Sequence, residues 1–401
     1  MIKTICFAGG CFWGTEHYLR QFEGVIETMT GYANGNIPHP TYEQVYTDGT
    51  GYVECVKVSF DSETISLQTL CRMFFRSIDP LLMNRQGNDI GTRYRTGIYW
   101  TDPQDRQDIE TVYAEMQSKY NTPLAVEKGP LECFYPAEEY HQDYLLKNPQ
   151  GYCHLSPATL AAARRYAGII KALRAYSDED KKRVLPRFFK TGKGQYGEGD
   201  RFLGVAVPDV RKVAKAAADL HIDVVEALLE SQWHEVRLCA LLILKEKYKK
   251  DPEGTVSFYL SHTRWINNWD LVDLSAPYIL GQFLVDQDDR SILYSLAESP
   301  YMWEQRIAVV STLMLIRNGI FCDTLSLARK LLSTPHDLMQ KAIGWMLREV
   351  GKRDTDILKD FLEKFRFRMP RTMLRYSIEK FPPEERAYYM KRQTTDESKK
   401  S

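Results

Sequence analysis

The sequence predicts two domains, an α+β domain followed by an all-α helical solenoid. Three observations predict this. Up to about residue 160, strand-like runs alternate with helical ones, separated by loops rich in Gly, Asn and Pro. From about residue 165 the strand-like runs stop, and amphipathic helical segments follow one another. Charge divides at the same place: residues 1–160 hold 12 Lys and Arg against 20 Asp and Glu, a net of −8, so the rest of this neutral 401-residue chain holds +8. An acidic half joined to a basic half points to two modules with different partners, the second a polyanion.

The elements follow in order. An apolar strand over residues 4–8 runs into Gly9-Gly10, and Cys11 opens a helix to about Phe22, closed by Gly24. Strands are expected over 53–60, 96–100 and 131–135 and helices over 66–78 and 103–119, with residues 31–38 as a polar loop. Leu155-Ser156-Pro157 marks the end of this half. Helices are then expected over 224–229 (with Asp223 as N-cap), 235–249, 271–284, 291–298, 304–318, 323–332, 337–351, 355–365 and 371–380. Short paired helices of this kind suggest a solenoid of degenerate two-helix repeats. The domain limits are 1–158, a linker over 159–168, 169–393, and a disordered tail over 394–401. No apolar run is long enough to span a bilayer, and Met1-Ile2-Lys3 leads into a strand, not a signal-peptide core. Six of the eight cysteines lie in the first 160 residues with no Cys-x-x-Cys, which argues against a zinc ribbon and fits a reducing cytoplasm.

In the first half, Cys11 is the candidate nucleophile. The unpaired N–H groups and partial positive charge of a helix start stabilise a thiolate. Phe12 and Trp13 set an aromatic wall beside it, suited to a methyl group next to an electrophilic atom. Glu54 stands on an otherwise apolar strand, where burial raises its pKa and lets it hold a proton for delivery. Tyr32 and Tyr94, in polar turns, offer hydroxyls to an oxygen, and Asp89 offers a ligand-gripping carboxylate. Cys153, in a Gly- and Pro-rich segment, is placed to swing from a distance onto a sulfenic acid and form a disulfide.

Gly10-Cys11-Phe12-Trp13-Gly14, Gly31-Tyr32, Gly51-Tyr52-Val53-Glu54, the run from Arg85 to Arg95, and Tyr140-His141-Gln142-Asp143-Tyr144 through Gly151-Tyr152-Cys153 together resemble the methionine sulfoxide reductase A family over about residues 4–156. The resemblance implies that family's α/β sandwich and reduction of the S-sulfoxide of methionine, free or in peptides and proteins. It implies Cys11 as nucleophile, Glu54 as proton donor, Tyr32 and Tyr94 as hydrogen-bond donors, Phe12 and Trp13 as the methyl pocket, and Cys153 as resolving cysteine. No metal or organic cofactor is implied; electrons come from thioredoxin or a dithiol. Tyr52-Val53 replaces the commoner His-Ala. No recycling cysteine follows Cys153 within this half, so thioredoxin would reduce a Cys11–Cys153 disulfide directly.

In the second half, the G-x-G-x-x-G of residues 192–197 has no strand before it and no Gly-Lys-Ser/Thr, which excludes a dinucleotide site or P-loop. It reads as a flexible loop whose Lys190 and Lys193 could touch phosphate. Trp265 and Trp269 stand four apart, as do Trp269 and Asp273, and an indole beside a carboxylate attracts a cation. Arg306 and Trp345 offer more of the same side chains. The segments Arg201 to Val205, Pro208 to Lys212, Trp269 to Asp273, Trp303 to Arg306 and Gln340 to Glu349 resemble the HEAT-like-repeat DNA glycosylases that excise alkylated purines, over about residues 165–390. The resemblance implies duplex DNA as partner and a site of Trp269, Asp273, Arg306 and Trp345, with Asp273 stabilising the sugar cation and Arg306 holding backbone phosphate. A family tyrosine stands here as Phe188, which favours the alternative of a non-catalytic solenoid binding DNA or protein.

Overall fold

A computed structural model describes residues 1–392 of the chain. The tail expected over 394–401 lies outside them. Two compact units emerge, Met1–Ser177 with Leu220–Val236, and Asp178–Asp219 with the chain from Arg237 onward.

The first unit is built on a six-stranded sheet. In chain order its elements are β1 (Ile2–Gly9), α1 (Phe12–Leu19), β2 (Val25–Ala33), α2 (Tyr42–Tyr46), β3 (Val53–Asp61), α3 (Leu67–Phe75), the two-residue β4 (Arg85–Gln86) and β5 (Asp89–Ile90), β6 (Thr96–Trp100), α4 (Arg106–Gln117), β7 (Glu127–Pro130), β8 (Phe134–Pro136) and α5 (Tyr144–Lys147). The strand order is β7-β6-β1-β3-β2-β8, antiparallel except between β6 and β7, and β4 pairs with β5 apart from it. β1 lies in the interior of this order and is buried over its last five residues. α3 covers the sheet with Leu70, Cys71 and Phe74, whose ring centroid lies 4.9 Å from that of Phe7.

Residues 31–33, expected in a loop, are instead the buried end of β2. Gly31 is required there by packing, since a Cβ would lie 2.4 Å from the Phe134 ring and 2.5 Å from the Tyr135 carbonyl of β8. Of the strand expected over 131–135, only residues 134 and 135 are extended, at the start of β8, and β7 ends before it. The helix expected over 11–22 ends at Leu19, and that over 103–119 opens with a 3-10 turn, Pro103–Asp105.

The residues expected as a linker, 159–168, lie inside α6 (Pro157–Arg174). Leu155-Ser156-Pro157 is a helix start: the Ser156 side chain caps Thr159 N–H, and Pro157 takes the first helical position, where no amide hydrogen is needed. Also in this unit, the helix expected over 224–229 spans Ile222–Leu229 with His221, not Asp223, as N-cap. Arg76 pairs with Glu226 at 3.2 Å and Glu230 at 2.9 Å, and Gln232 accepts the Ser66 N–H at 2.7 Å.

The second unit is helical. It holds Glu179–Phe188, Val207–Ala216, Pro252–Ser261, Trp269–Ser275, Leu280–Leu284, Ser291–Glu298, Met302–Arg317, Cys322–Lys330, Asp337–Arg353, Thr355–Phe365, Arg371–Ser377 and Pro383–Met390. Met302–Arg317 is buried along most of its length and packs against Ser291–Glu298, Leu280–Leu284 and Asp337–Arg353. The single helix expected over 271–284 is interrupted by a 3-10 turn, Ala276–Tyr278, because Pro277 cannot donate to the preceding turn. No described helix is long and apolar enough to cross a membrane.

Candidate active sites

The first site forms where β1 ends. Gly10 has φ +82°, a left-handed conformation that turns the chain sharply, and Cys11 becomes the N-cap of α1. β2 and β3 pair with Tyr32 opposite Glu54, so both side chains share one face of the sheet. The Phe12 N–H donates to Glu54 Oε2 at 3.0 Å, which ties the carboxyl to the residue after the nucleophile. Glu54 is only 2% exposed. Burial pushes its pKa up to about 8, against the opposing pull of the Phe12 N–H and Arg93, so the group is mainly protonated at neutral pH. That displacement corresponds to roughly 5 kcal/mol against the carboxylate.

Cys11 departs from expectation. The N–H groups of Trp13 and Gly14 do favour its thiolate, but burial, then Glu54, push the thiol well above its ordinary value. A helix start stabilises an anion only against the desolvation it must overcome, and Cys11 is 5% exposed. The resting group is a thiol.

Phe12 is buried, its ring centroid 5.1 Å from that of His141 and 6.0 Å from that of Tyr32. Trp13 stacks on Tyr144 at 3.8 Å and donates from Nε1 to His141 Nδ1 at 3.1 Å. Tyr94 is raised by burial and then by Glu54, which places its hydroxyl in the same electrostatic field. The Tyr32 hydroxyl, expected as a free donor, instead donates to Glu138 Oε2 at 2.7 Å. Glu138 Oε1 accepts the Tyr42 N–H at 2.9 Å.

Tyr42 and Glu138 were missed in the sequence. Burial, then Glu54 and Cys11, push Tyr42 up to about 12, so this phenol lies within the electrostatic reach of both groups. A signal was present: Thr41-x-x-Gln44 forms a capping box that starts α2 at Tyr42.

Cys153 is half-buried and lies against α1, where the expectation was a swing from a distance. A Cβ on Gly14 would sit 3.1 Å from Cys153 Sγ and 2.7 Å from His154 Nδ1, so the second glycine of the Gly-Cys-Phe-Trp-Gly segment makes room for this chain. Tyr152 donates to Asp89 Oδ1 at 2.9 Å, and His154 Nε2 bonds the Gly9 carbonyl at 3.0 Å. Among the described residues every cysteine is a free thiol.

The second site is a cleft of about 660 Å³ in the helical unit. Trp269, Asp273, Arg306 and Trp345 all line it, with Phe188 at its edge. Arg306 grips Asp273 through two bonds, Nε to Oδ1 at 3.0 Å and an Nη to Oδ2 at 2.8 Å, and gives its remaining Nη to the Leu338 carbonyl at 2.6 Å. Arg306 is thus bound to Asp273 rather than standing free for the phosphate expected of it. Burial raises the Asp273 carboxyl, and Arg306 opposes the rise. Lys190, Lys341 and Arg348 also line the cleft, Lys341 paired with Asp337 and Arg348 with Glu379.

Trp269 stacks on Phe189 at 5.4 Å, with the Phe188 ring edge-on at 6.0 Å. Trp265 lies in a 3-10 turn before the Trp269 helix, so the two indoles do not share a helix face. Tyr196, also missed, lines the cleft with its hydroxyl within hydrogen-bonding reach of the Trp269 indole. The glycine-rich loop carrying it is anchored: Asp200 pairs with buried Arg237 at 2.6 Å and accepts from Asn267 at 2.8 Å. A Cβ on Gly197 would meet the Phe189 carbonyl at 2.4 Å.

Residues 3–169 match the sequence profile of peptide methionine sulfoxide reductases, and residues 169–381 that of DNA alkylation repair enzymes. Over 154 residues the chain is 53% identical to the peptide methionine sulfoxide reductase MsrA of Mycoplasma pneumoniae, covering 38% of this chain and 98% of that protein. The chain belongs to both families. Its first part is a peptide methionine sulfoxide reductase, joined to a domain of the DNA alkylation repair family. The corresponding reductase of Clostridium acetobutylicum is 51% identical over 154 residues, 38% of this chain and 95% of that one. Among solved structures, reduced Mxr1 from Saccharomyces cerevisiae is 38% identical, with a TM-score of 0.37 covering 39% of this chain and 91% of that chain.

Proposed function

We propose that the reductase acts on the S-epimer of methionine sulfoxide, free or in proteins, by a thiol, sulfenic acid and disulfide sequence. The observation that carries this is the protonated Glu54 carboxyl, buried and bonded to the residue after Cys11. Glu54 gives its proton to the sulfoxide oxygen as Cys11 Sγ attacks the sulfoxide sulfur. The protonated oxygen passes as hydroxyl from the sulfoxide sulfur to Cys11 Sγ as the transient Sγ–S bond breaks, methionine leaves, and the Cys11 thiol proton replenishes Glu54. The sulfoxide is reduced, and Cys11 becomes a sulfenic acid. Tyr94 and Tyr42 supply hydroxyls to the oxygen, while Phe12 and Trp13 hold the methyl group. Tyr32 orders the site through Glu138. Asp89 grips the ligand or its closing segment.

Cys153 then attacks Cys11 Sγ, a disulfide forms and water leaves. A dithiol such as thioredoxin restores both thiols, with no metal or organic cofactor in the cycle. A cytoplasmic location fits these free thiols. The test is single-turnover methionine formation from each epimer. Cys11→Ser should abolish it, the S-epimer alone should react well, and equal rates on both epimers would refute the assignment.

We further propose that the second part is a HEAT-like solenoid that binds duplex DNA and excises N3- or N7-alkylated purines. Support comes from the Asp273–Arg306 pair in a cleft that Trp269, Trp345 and Lys190 also line. An alkylated purine is cationic and its glycosidic bond is weak. The Asp273 carboxylate would stabilise the positive sugar as the base departs, by about 4 kcal/mol at about 4 Å and an effective dielectric of about 20. Arg306 favours the Asp273 carboxylate against the burial that raises it, and Lys190 offers charge to phosphate. Phe188, which lacks a hydroxyl, favours the second reading, a non-catalytic module binding DNA or protein. Base release from methylated duplex DNA separates the two.

A further inference from the structure

The nucleophile sits among groups whose ligating atoms the reductase chemistry leaves without a partner. The Cys11 sulfur, one ring nitrogen of His154 and one carboxylate oxygen of Asp89 lie within 4.8 Å of one another. His154 Nε2 bonds the Gly9 carbonyl, which can only accept, so Nε2 carries the ring hydrogen and Nδ1 the lone pair. Nδ1 is buried with no protein partner. Asp89 shows the same division: Oδ1 accepts from Tyr152, while Oδ2 is buried and unpartnered.

We propose that Cys11, Asp89 and His154 form a three-ligand site for a thiophilic divalent cation of the zinc class, which reversibly caps the reductase nucleophile. Each supporting hydrogen bond occupies the atom that would not ligate. A metal-binding histidine typically donates its other N–H to a backbone carbonyl, and a ligating carboxylate is itself hydrogen-bonded. One sulfur, one imidazole nitrogen and one carboxylate oxygen suit zinc, with a fourth position open to water. Zn–S and Zn–N bonds of about 2.3 and 2.0 Å require ligand atoms roughly 3.5 Å apart, so side-chain shifts on the order of an ångström complete the site.

Binding exchanges the Cys11 S–H proton for the metal, the proton leaves to solvent, and nothing is oxidised or reduced. The capping consequence rests on Cys11 being the nucleophile; the binding itself does not.

The test is titration of the reduced, metal-stripped full chain with Cd²⁺ alone, read by the ultraviolet thiolate-to-cadmium charge-transfer band. One ion per chain should bind tightly, with the band lost in Cys11→Ser and kept in Cys153→Ser. His154→Gln and Asp89→Asn should each weaken binding about tenfold or more. Zn²⁺ should slow methionine formation, and a chelator should restore it. A band that survives Cys11→Ser, or an affinity unchanged in both His154→Gln and Asp89→Asn, overturns the site.

Discussion

In the proposed mechanism Glu54 is the proton donor, and its burial sets its proton affinity. Its pKa near 8 gives a signed expectation: methionine formation should hold through neutral pH and fall as pH rises through about 8, where the proton is lost. Glu54→Gln keeps an acceptor for the Phe12 N–H but cannot deliver a proton. It should lower the single-turnover rate by roughly 10²–10⁴ and remove the alkaline fall. A variant as fast as the parent at every pH would place the proton donor elsewhere. In the helical unit, Arg306→Ala strips a carboxylate of its partner. Because the pair is largely buried, thermal unfolding should show a loss of about 3–5 kcal/mol, more than for Asp273→Asn. Cys11 and Glu54 were legible in the sequence, one by its place between a strand and a helix, the other as a carboxylate on an apolar strand. Tyr42, Glu138 and His154 were not, because they reach the site from loops and short helices whose approach no periodicity records. The bond from Arg306 to Asp273 was not legible either, since Asp273, 33 residues away, meets it only through helix packing.

The start of α1 carries Cys11 as its N-cap and lies against Cys153, the proposed resolving cysteine. Gly14 leaves the space that Cys153 and His154 occupy, so Gly14→Ala should displace the closing segment. The first methionine should still form, while thioredoxin-driven turnover slows; quench-flow of methionine and disulfide would separate the steps. Cys153→Ser should likewise give one methionine per chain and then stop. Undiminished turnover in Cys153→Ser would assign the resolving role to another thiol. At this scale the long amphipathic helices were legible, and residues 355–365 were placed end to end. The misreadings share a cause: Gly and Pro signals that mean a loop in isolation were overruled by packing. Gly31 lies in a strand because β8 needs its missing side chain, and Pro157 begins a helix where a linker was expected.

Across the whole molecule, two families share one chain, and each has its own constellation of residues. The family boundary at residue 169 is not a boundary of packing, because Leu220–Val236 belongs with the first unit. The ion pairs from Arg76 to Glu226 and Glu230 would be lost on cutting there, so the second activity is best measured on the full chain. Cys11→Ser should abolish sulfoxide reduction without changing DNA binding, and Asp273→Asn should leave reduction intact. DNA binding should also weaken steeply with salt as phosphate contacts release counterions. The change of rhythm near residue 160 and the charge division were enough to read two domains, whereas the partition of residues 220–236 depended on contacts no local pattern carries. The most direct measurement is release of methylated purines from alkylated duplex DNA by the full chain carrying Cys11→Ser, with and without Asp273→Asn. Release that falls by about two orders of magnitude or more on loss of the Asp273 charge, with DNA affinity nearly unchanged, is the predicted result. DNA binding with no base release in the Asp273-intact chain would contradict it and leave a binding module in place of a glycosylase.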